Sequence, residues 1–252
     1  MRSRVPRLRR LHFQPVGGVA GDMLLGALCD LGAESVVQHA IKSLEIDGLE
    51  LIVQPVEVDG ETALHVRSIP RSVEPHHRHL ADVFEILATA DVPPAALALA
   101  RRIFVRLGEA EAAVHGTDGP HEVHLHEVGQ LDSILDVLGI AVALHSLGTP
   151  RVSCAPLPSG SGTVSTAHGV LNCPVPAVRE IAARANVPLV DVPLVGETIT
   201  PTGIAVIAEI CTSYRDDLCG DARLRGVGAG SRRFDSRPNV LRAYGFEGDT
   251  NP

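Results

Sequence analysis

The chain reads as an α/β protein, with α+β as the alternative: helices layered on a mixed sheet. Three observations carry this reading. Apolar stripes at helical spacing alternate with short apolar or alternating segments along nearly the whole length. Glycine, proline and Asx residues fall between them as turn signals. The 252 residues, 45% of them hydrophobic, suffice for one large domain. Aromatic residues make up only 3% and Trp is absent, so Leu, Val, Ile and Ala must build the core.

The elements follow in order. Five arginines stand in the first ten residues, and His12 and Gln14 follow at once, so no apolar signal segment forms. Residues 1–10 read as a disordered basic tail and 11–247 as a single domain. A strand over 11–16 leads through Gly17, Gly18 and Gly21 into a helix over 23–31, closed by Gly32. Glycines between a strand and a helix N-terminus can cradle an anion. No Lys-Ser/Thr follows and the GxGxxG spacing is missing, which excludes a Walker loop and a dinucleotide fingerprint. Asp22 either caps this helix or holds a metal.

A second helix spans 35–44. Residues 49–58 and 63–69 alternate around Asp59-Gly60, a strong hairpin signal. The tract at 74–79 places His76, His77 and His79 in a loop, either a secondary metal loop or an incidental polar one. Arg78 in its midst disfavours a cation. A helix runs over 80–88. Pro93-Pro94 then starts a long helix with Leu97, Ala100, Phe104, Leu107, Ala110 and Val114 on one stripe, ended by Gly116. Glu111 and His115 share its last turn, where the dipole favours histidine, so His115 reads as structural.

The stretch 121–136 carries the densest chemistry. Val123, Leu125 and Val128 alternate with His124 and His126, so a strand would put both imidazoles on one face. Gly129 turns the chain. Asp132 and Asp136, four apart, share a face at the start of a helix over 131–147 that is apolar nearly all round. Charges on such a helix need partners or a cation. His124, His126, Glu127, Asp132 and Asp136, with Asp22, form the expected divalent-metal set, and imidazole suits nickel, zinc and copper. The plain alternatives are half-exposed strand histidines and aspartates that serve the helix dipole.

Residues 152–155 form a strand. Across 157–169, Gly160, Ser161, Gly162 and His168 offer donors and hydroxyls to a polar substrate, or simply make a hairpin. A helix over 174–185 and a strand over 189–192 follow. Thr200 and Thr202 open a helix running to about 212, a second candidate anion site. After the glycines at 226–230, Arg232, Arg233 and Arg237 either bind a phosphate or carboxylate or form a solvated face. A strand over 240–244 comes last.

The net charge of −8 argues against nucleic acid as a partner. No apolar run reaches transmembrane length, so no membrane partner is expected. The five cysteines form no CxxC pair. Cys29 and Cys211 fall in apolar helical patterns, the usage of a reducing cytosol, so a cytoplasmic location is expected. Cys154 and Cys173 flank the glycine-rich segment and leave soft-metal ligation open.

Several motifs, in this order, resemble one family. They are Gly18-x-x-Gly21-Asp22-Met23, Val114-His115-Gly116, His124-x-His126-Glu127-x-Gly129-x-x-Asp132-x-x-x-Asp136, Pro156-x-Pro158-x-Gly160-x-Gly162-Thr163, Ala167-His168-Gly169, Thr200-Pro201-Thr202-Gly203, and Gly228-Ala229-Gly230 followed by Arg237-Pro238-Asn239. Together they are similar to the LarC-type nickel insertion proteins, over nearly the whole chain from about residue 11. The resemblance implies nickel insertion into pyridinium-3,5-bisthiocarboxylic acid mononucleotide, a lyase-type step that makes the nickel-pincer cofactor of lactate racemase and its relatives. It implies one carbon–nickel and two sulfur–nickel bonds, a nucleotide-like substrate, dependence on CTP with manganese or magnesium, and a homo-oligomer. Two departures stand out. Gln14 and Gly17 replace a usual Asp and Ser, and Ala20 replaces a frequent Ser. Full-length members also continue past Arg242 into a C-terminal domain that carries the CTP site, so the expectation is an N-terminal subunit working with a separate C-terminal polypeptide. The competing readings are a non-catalytic nickel metallochaperone and a metal-dependent hydrolase that activates water with His124, His126, Asp132 and Asp136.

Overall fold

Period-two alternation in the strands decides which face of the sheet the helices cover. The computed structural model describes residues 5–44, 46, 49–69, 78–166, 168–216 and 222–247. Its elements are β1 (Arg10–Pro15), α1 (Gly21–Leu28), α2 (Glu34–Lys42), β2 (Glu50–Val58), β3 (Glu61–Ile69), α3 (Leu80–Ala88), α4 (Pro94–His115) and α5 (Leu131–Ser146). Then come β4 (Arg151–Cys154), β5 (Leu157–Ser161), β6 (Thr163–Thr166), β7 (Gly169–Asn172), α6 (Pro176–Ala185), β8 (Leu189–Val195), α7 (Pro201–Ile210), β9 (Cys211–Tyr214), β10 (Leu224–Ala229) and β11 (Val240–Phe246).

Seven strands form one mixed sheet in the order β2-β3-β10-β11-β1-β4-β9. β1 sits beside antiparallel β11 and parallel β4. Leu11 and Phe13 join the main core with Val152, Cys154, Leu241 and Ala243. Alternation therefore sends His12, Gln14, Ser153, Arg242 and Tyr244 to the other face. The α/β expectation holds. Two smaller pairs, β5-β8 and β6-β7, stand outside the main sheet.

The local signals gave most of these elements. Asp59 and Gly60 both adopt positive φ (50° and 78°) and close the β2–β3 hairpin in full register, from Val58↔Glu61 to Glu50↔Ile69. Pro94 opens α4, and Gly116 ends it in the left-handed region at φ 69°. Gly32, at φ 105°, turns the chain between α1 and α2.

Three expectations need correction. Residues 121–130 form turns, touched by a single bridge between Arg78 and Leu125. The reason is non-local: Arg78 exchanges backbone bonds with Leu125, and its Nη1 donates to the Gly129 carbonyl over 2.8 Å, which folds the segment into a loop. The helix expected to reach 212 stops at Ile210, and Cys211 belongs to β9, paired with β4. The Thr212 hydroxyl donates to the Val152 carbonyl across that pair. Of the expected tail, residues 1–4 lie outside the described residues, but Leu8 is buried and its N–H donates to the Leu147 carbonyl over 2.7 Å. No helix among the described residues is long and apolar enough to cross a membrane.

Candidate metal centre

Three imidazoles meet where α4 ends. His115 is the last residue of α4, which the left-handed Gly116 ends, and its ring packs beside those of His126 and His168. His126 follows Leu125, whose burial and bridge to Arg78 pin that loop. His168 sits in the β6–β7 turn, where its N–H donates to the Thr166 hydroxyl and Gly169 takes φ 92°. Ring centroids are 4.3 Å apart for His126–His168, 4.7 Å for His115–His168 and 5.8 Å for His115–His126. Among the described residues these three form the group whose ligand atoms all lie within 4.8 Å of one another. Imidazole nitrogens on one ion, with bonds of about 2.1 Å, stand at most about 4.2 Å apart, so a small side-chain adjustment closes the set.

The cluster opens on a cavity of about 210 Å³ that Glu111, Glu127 and Glu197 also line. Glu111 pairs with His115 at 3.5 Å, and Arg232 donates to Glu197 at 2.9 Å. Burial pushes the Glu111 carboxyl up; His115 pulls it back, and Glu127 raises it again. Glu197 is likewise raised by burial, lowered by Arg232 and raised by Glu127. Glu127 thus acts on both neighbours. Three imidazoles beside a ring of carboxylates make an environment for a borderline divalent cation.

The other expected ligands gather elsewhere. Asp22, Asp132 and Asp136 act on one another at the start of α1 and α5. Burial pushes Asp22 up to about 6, against the Met23 N–H that lowers it, and Asp132 adds to the rise. Asp136 is held well above the usual carboxylate range by burial, then by Asp22 and Asp132. The Ser68 hydroxyl bonds Asp132. His124 stacks on His79 at 4.2 Å and lies 6.4 Å from His126. His79 also opens α3, its N–H donating to Asp82. His76 and His77 lie outside the described residues. The structure therefore divides the expected set: His126 joins His115 and His168, the aspartates form their own group, and His124 pairs with His79. Glu127 stays with His126.

The expected substrate contacts are mostly engaged with the chain itself. The Gly160 N–H donates to the Thr198 hydroxyl, which donates in turn to the Pro158 carbonyl. The Ser161 carbonyl accepts from Gly196, and the Gly162 carbonyl from Cys173. The Thr200 hydroxyl accepts the Gly203 N–H as the cap of α7, and Thr202 lies 3.3 Å from the Ser133 hydroxyl. The α7 N-terminus packs on the chain before α1: a Cβ at Gly203 would lie 2.5 Å from the Val19 carbonyl oxygen. Gly17 lies against Asn239 in the same way, so both glycine turns are filled by protein and not open as anion cradles. His168 alone of this group reaches the cavity.

Sequence reasoning missed His115, Glu111 and Glu197 at this centre. The spacing of Glu111 and His115 was visible, but the helix dipole explained it locally. Gln14, at the place where the resemblance leads one to expect Asp, accepts from Tyr244 and Arg242 and does not line the cavity.

Fold and centre together define an α/β protein whose three-imidazole cluster suits a borderline transition metal. The chain belongs to the nickel insertion protein family, which matches residues 11–251. It is 40% identical over 243 residues to a protein of Myxococcus xanthus named for nickel insertion, covering 93% of this chain and 60% of the relative. It is 35% identical over 242 residues to the pyridinium-3,5-bisthiocarboxylic acid mononucleotide nickel insertion protein of Staphylococcus epidermidis, covering 96% and 60%. The chain thus spans about three fifths of these relatives' length. No solved structure matches it.

Proposed function

We propose that this chain takes up nickel at His115, His126 and His168 and presents it to a pyridinium-3,5-bisthiocarboxylic acid mononucleotide. The observation that carries the proposal is the convergence of the three ligand atoms within 4.8 Å. The name of the Staphylococcus epidermidis relative supports the substrate. Nickel is cargo in this reading. Imidazole ligands add no negative charge of their own to the ion, and the softer thiocarboxylate sulfurs can then draw it away. Formation of a carbon–nickel bond replaces a ring C–H, so a base must take that proton. Glu111 and Glu197, each with a raised pKa, line the cavity and supply such a base. The resemblance drawn from the sequence motifs adds dependence on CTP with manganese or magnesium.

Exposure of His115 and His168 at the cavity mouth also suits a second reading, a metallochaperone that hands nickel to a partner. The hydrolase set is not assembled, because Asp132 and Asp136 gather with Asp22. An insertion assay separates the first two. The chain, nickel, the mononucleotide, CTP and manganese are combined with a family C-terminal polypeptide. Nickel-bearing product is expected, and its loss in the His126→Ala/His168→Ala variant. Undiminished product from that variant would contradict the proposal. Nickel binding and transfer without product would favour the chaperone.

A further inference from the structure

A second cavity is connected to the metal centre through the Arg232–Glu197 ion pair. It measures about 390 Å³, within the range of small-molecule sites. The β10–β11 connection supplies Arg232, Arg233 and Arg237 to its lining, and His65 of β3 also lines it. This connection is firmly held: Asn239, 8% exposed, donates to the Arg232 carbonyl over 3.1 Å. Arg232 lines this cavity and bonds Glu197, which lines the histidine cavity. One ion pair therefore links the linings of the two spaces.

The charge is unevenly distributed. Arg232 is committed to Glu197. Arg237 spends one donor on the Val16 carbonyl, and a guanidinium carries five. Arg233 is exposed and makes no ion pair among the described residues. Glu57 and Asp59 lie at the hairpin end of the lining, and Glu57 accepts from Thr62 at 2.6 Å. Two guanidiniums are thus available to a doubly charged oxyanion, a pairing that planar forks favour.

The geometry points to this basin as the phosphate subsite of the mononucleotide. Arg233 and Arg237 hold the phosphate monoester, and the pyridinium end crosses the Arg232–Glu197 pair toward His126. This inference rests on the substrate proposed above, but its test uses no metal, so loss of the nickel reading and loss of this one are told apart.

The test is a calorimetric titration with nicotinic acid mononucleotide, a pyridinium carboxylate mononucleotide without sulfur, in parallel with its riboside and with inorganic phosphate. A chelator keeps the protein metal-free. The variants are Arg233→Glu, at an exposed position that leaves the fold intact, and Arg237→Lys, which keeps the charge but loses the fork. Thermal melts check folding. The mononucleotide is expected to bind on the order of tenfold or more tighter than the riboside, with the difference abolished by Arg233→Glu and reduced by Arg237→Lys. Equal binding of mononucleotide and riboside, or an undiminished preference in folded Arg233→Glu, would overturn the inference. Inorganic phosphate binding as tightly as the mononucleotide would also overturn it, and would reassign the basin to free phosphate.

Discussion

His126 and His168 stand edge to face with centroids 4.3 Å apart, although they come from a loop and a hairpin turn far apart in the chain. His124, only two residues from His126, instead packs on His79. Neighbours in sequence therefore have different surroundings.

The aspartate group makes stability depend on pH. Asp22 has a folded pKa of about 6 against an ordinary value of 3.8. A raised folded pKa means that its contribution is fully present below the unfolded value and is lost as pH rises through about 6. Asp22→Asn removes that loss while keeping an acceptor for the Met23 N–H. Thermal or urea melts with chelator present should show the variant more stable by about 1–2 kcal/mol at pH 8, after discounting for solvent screening, and level with the native chain near pH 4. A variant less stable at pH 8 would contradict the burial of this carboxylate.

Close backbone approach sets a second prediction. A Cβ at Gly228 would collide with the Met23 carbonyl of α1, at the contact between β10 and that helix. Gly228→Ala should cost about 1–3 kcal/mol in chemical denaturation, as overpacking does. Gly119 has nothing within 4 Å, and Gly119→Ala should stay within about 0.5 kcal/mol.

Thiol chemistry gives a third. Burial pushes Cys29 up to about 12, and Cys154 is raised by burial and by Cys211. Cys173 is only partly buried, and its thiol is raised first by burial and then by Glu197. Alkylation of the native chain at pH 8, mapped by peptide mass spectrometry, should mark Cys173 ahead of Cys29 and Cys154. These two should react only on unfolding. Rapid labelling of Cys29 in the native state would contradict its packing.

Elements written in local periodicity were legible in the sequence. The Asp59-Gly60 hairpin, the Pro94–Gly116 helix and the apolar α5 all carried their own start and stop signals. The loop at 121–130 was misread because its alternation imitates a strand, whereas Arg78 decides its shape. The centre was only half legible for the same reason. His126 was found from its cluster, but His115 had a sufficient local explanation, and only the tertiary fold brings His168 to the same point. The glycine signature before α1 marks chain packed on chain, at Asn239 and Thr198, which spacing alone cannot distinguish from an anion cradle.

A calorimetric nickel titration of the metal-free chain, set beside His126→Ala/His168→Ala and His124→Ala, separates the three-imidazole centre from its neighbours. The native chain and His124→Ala should bind one nickel ion at comparable affinity. His126→Ala/His168→Ala, folded by thermal melt, should bind at least on the order of a hundredfold more weakly, since two of three ligands are gone. Undiminished binding by that variant, or loss confined to His124→Ala, would contradict the assignment of nickel to His115, His126 and His168.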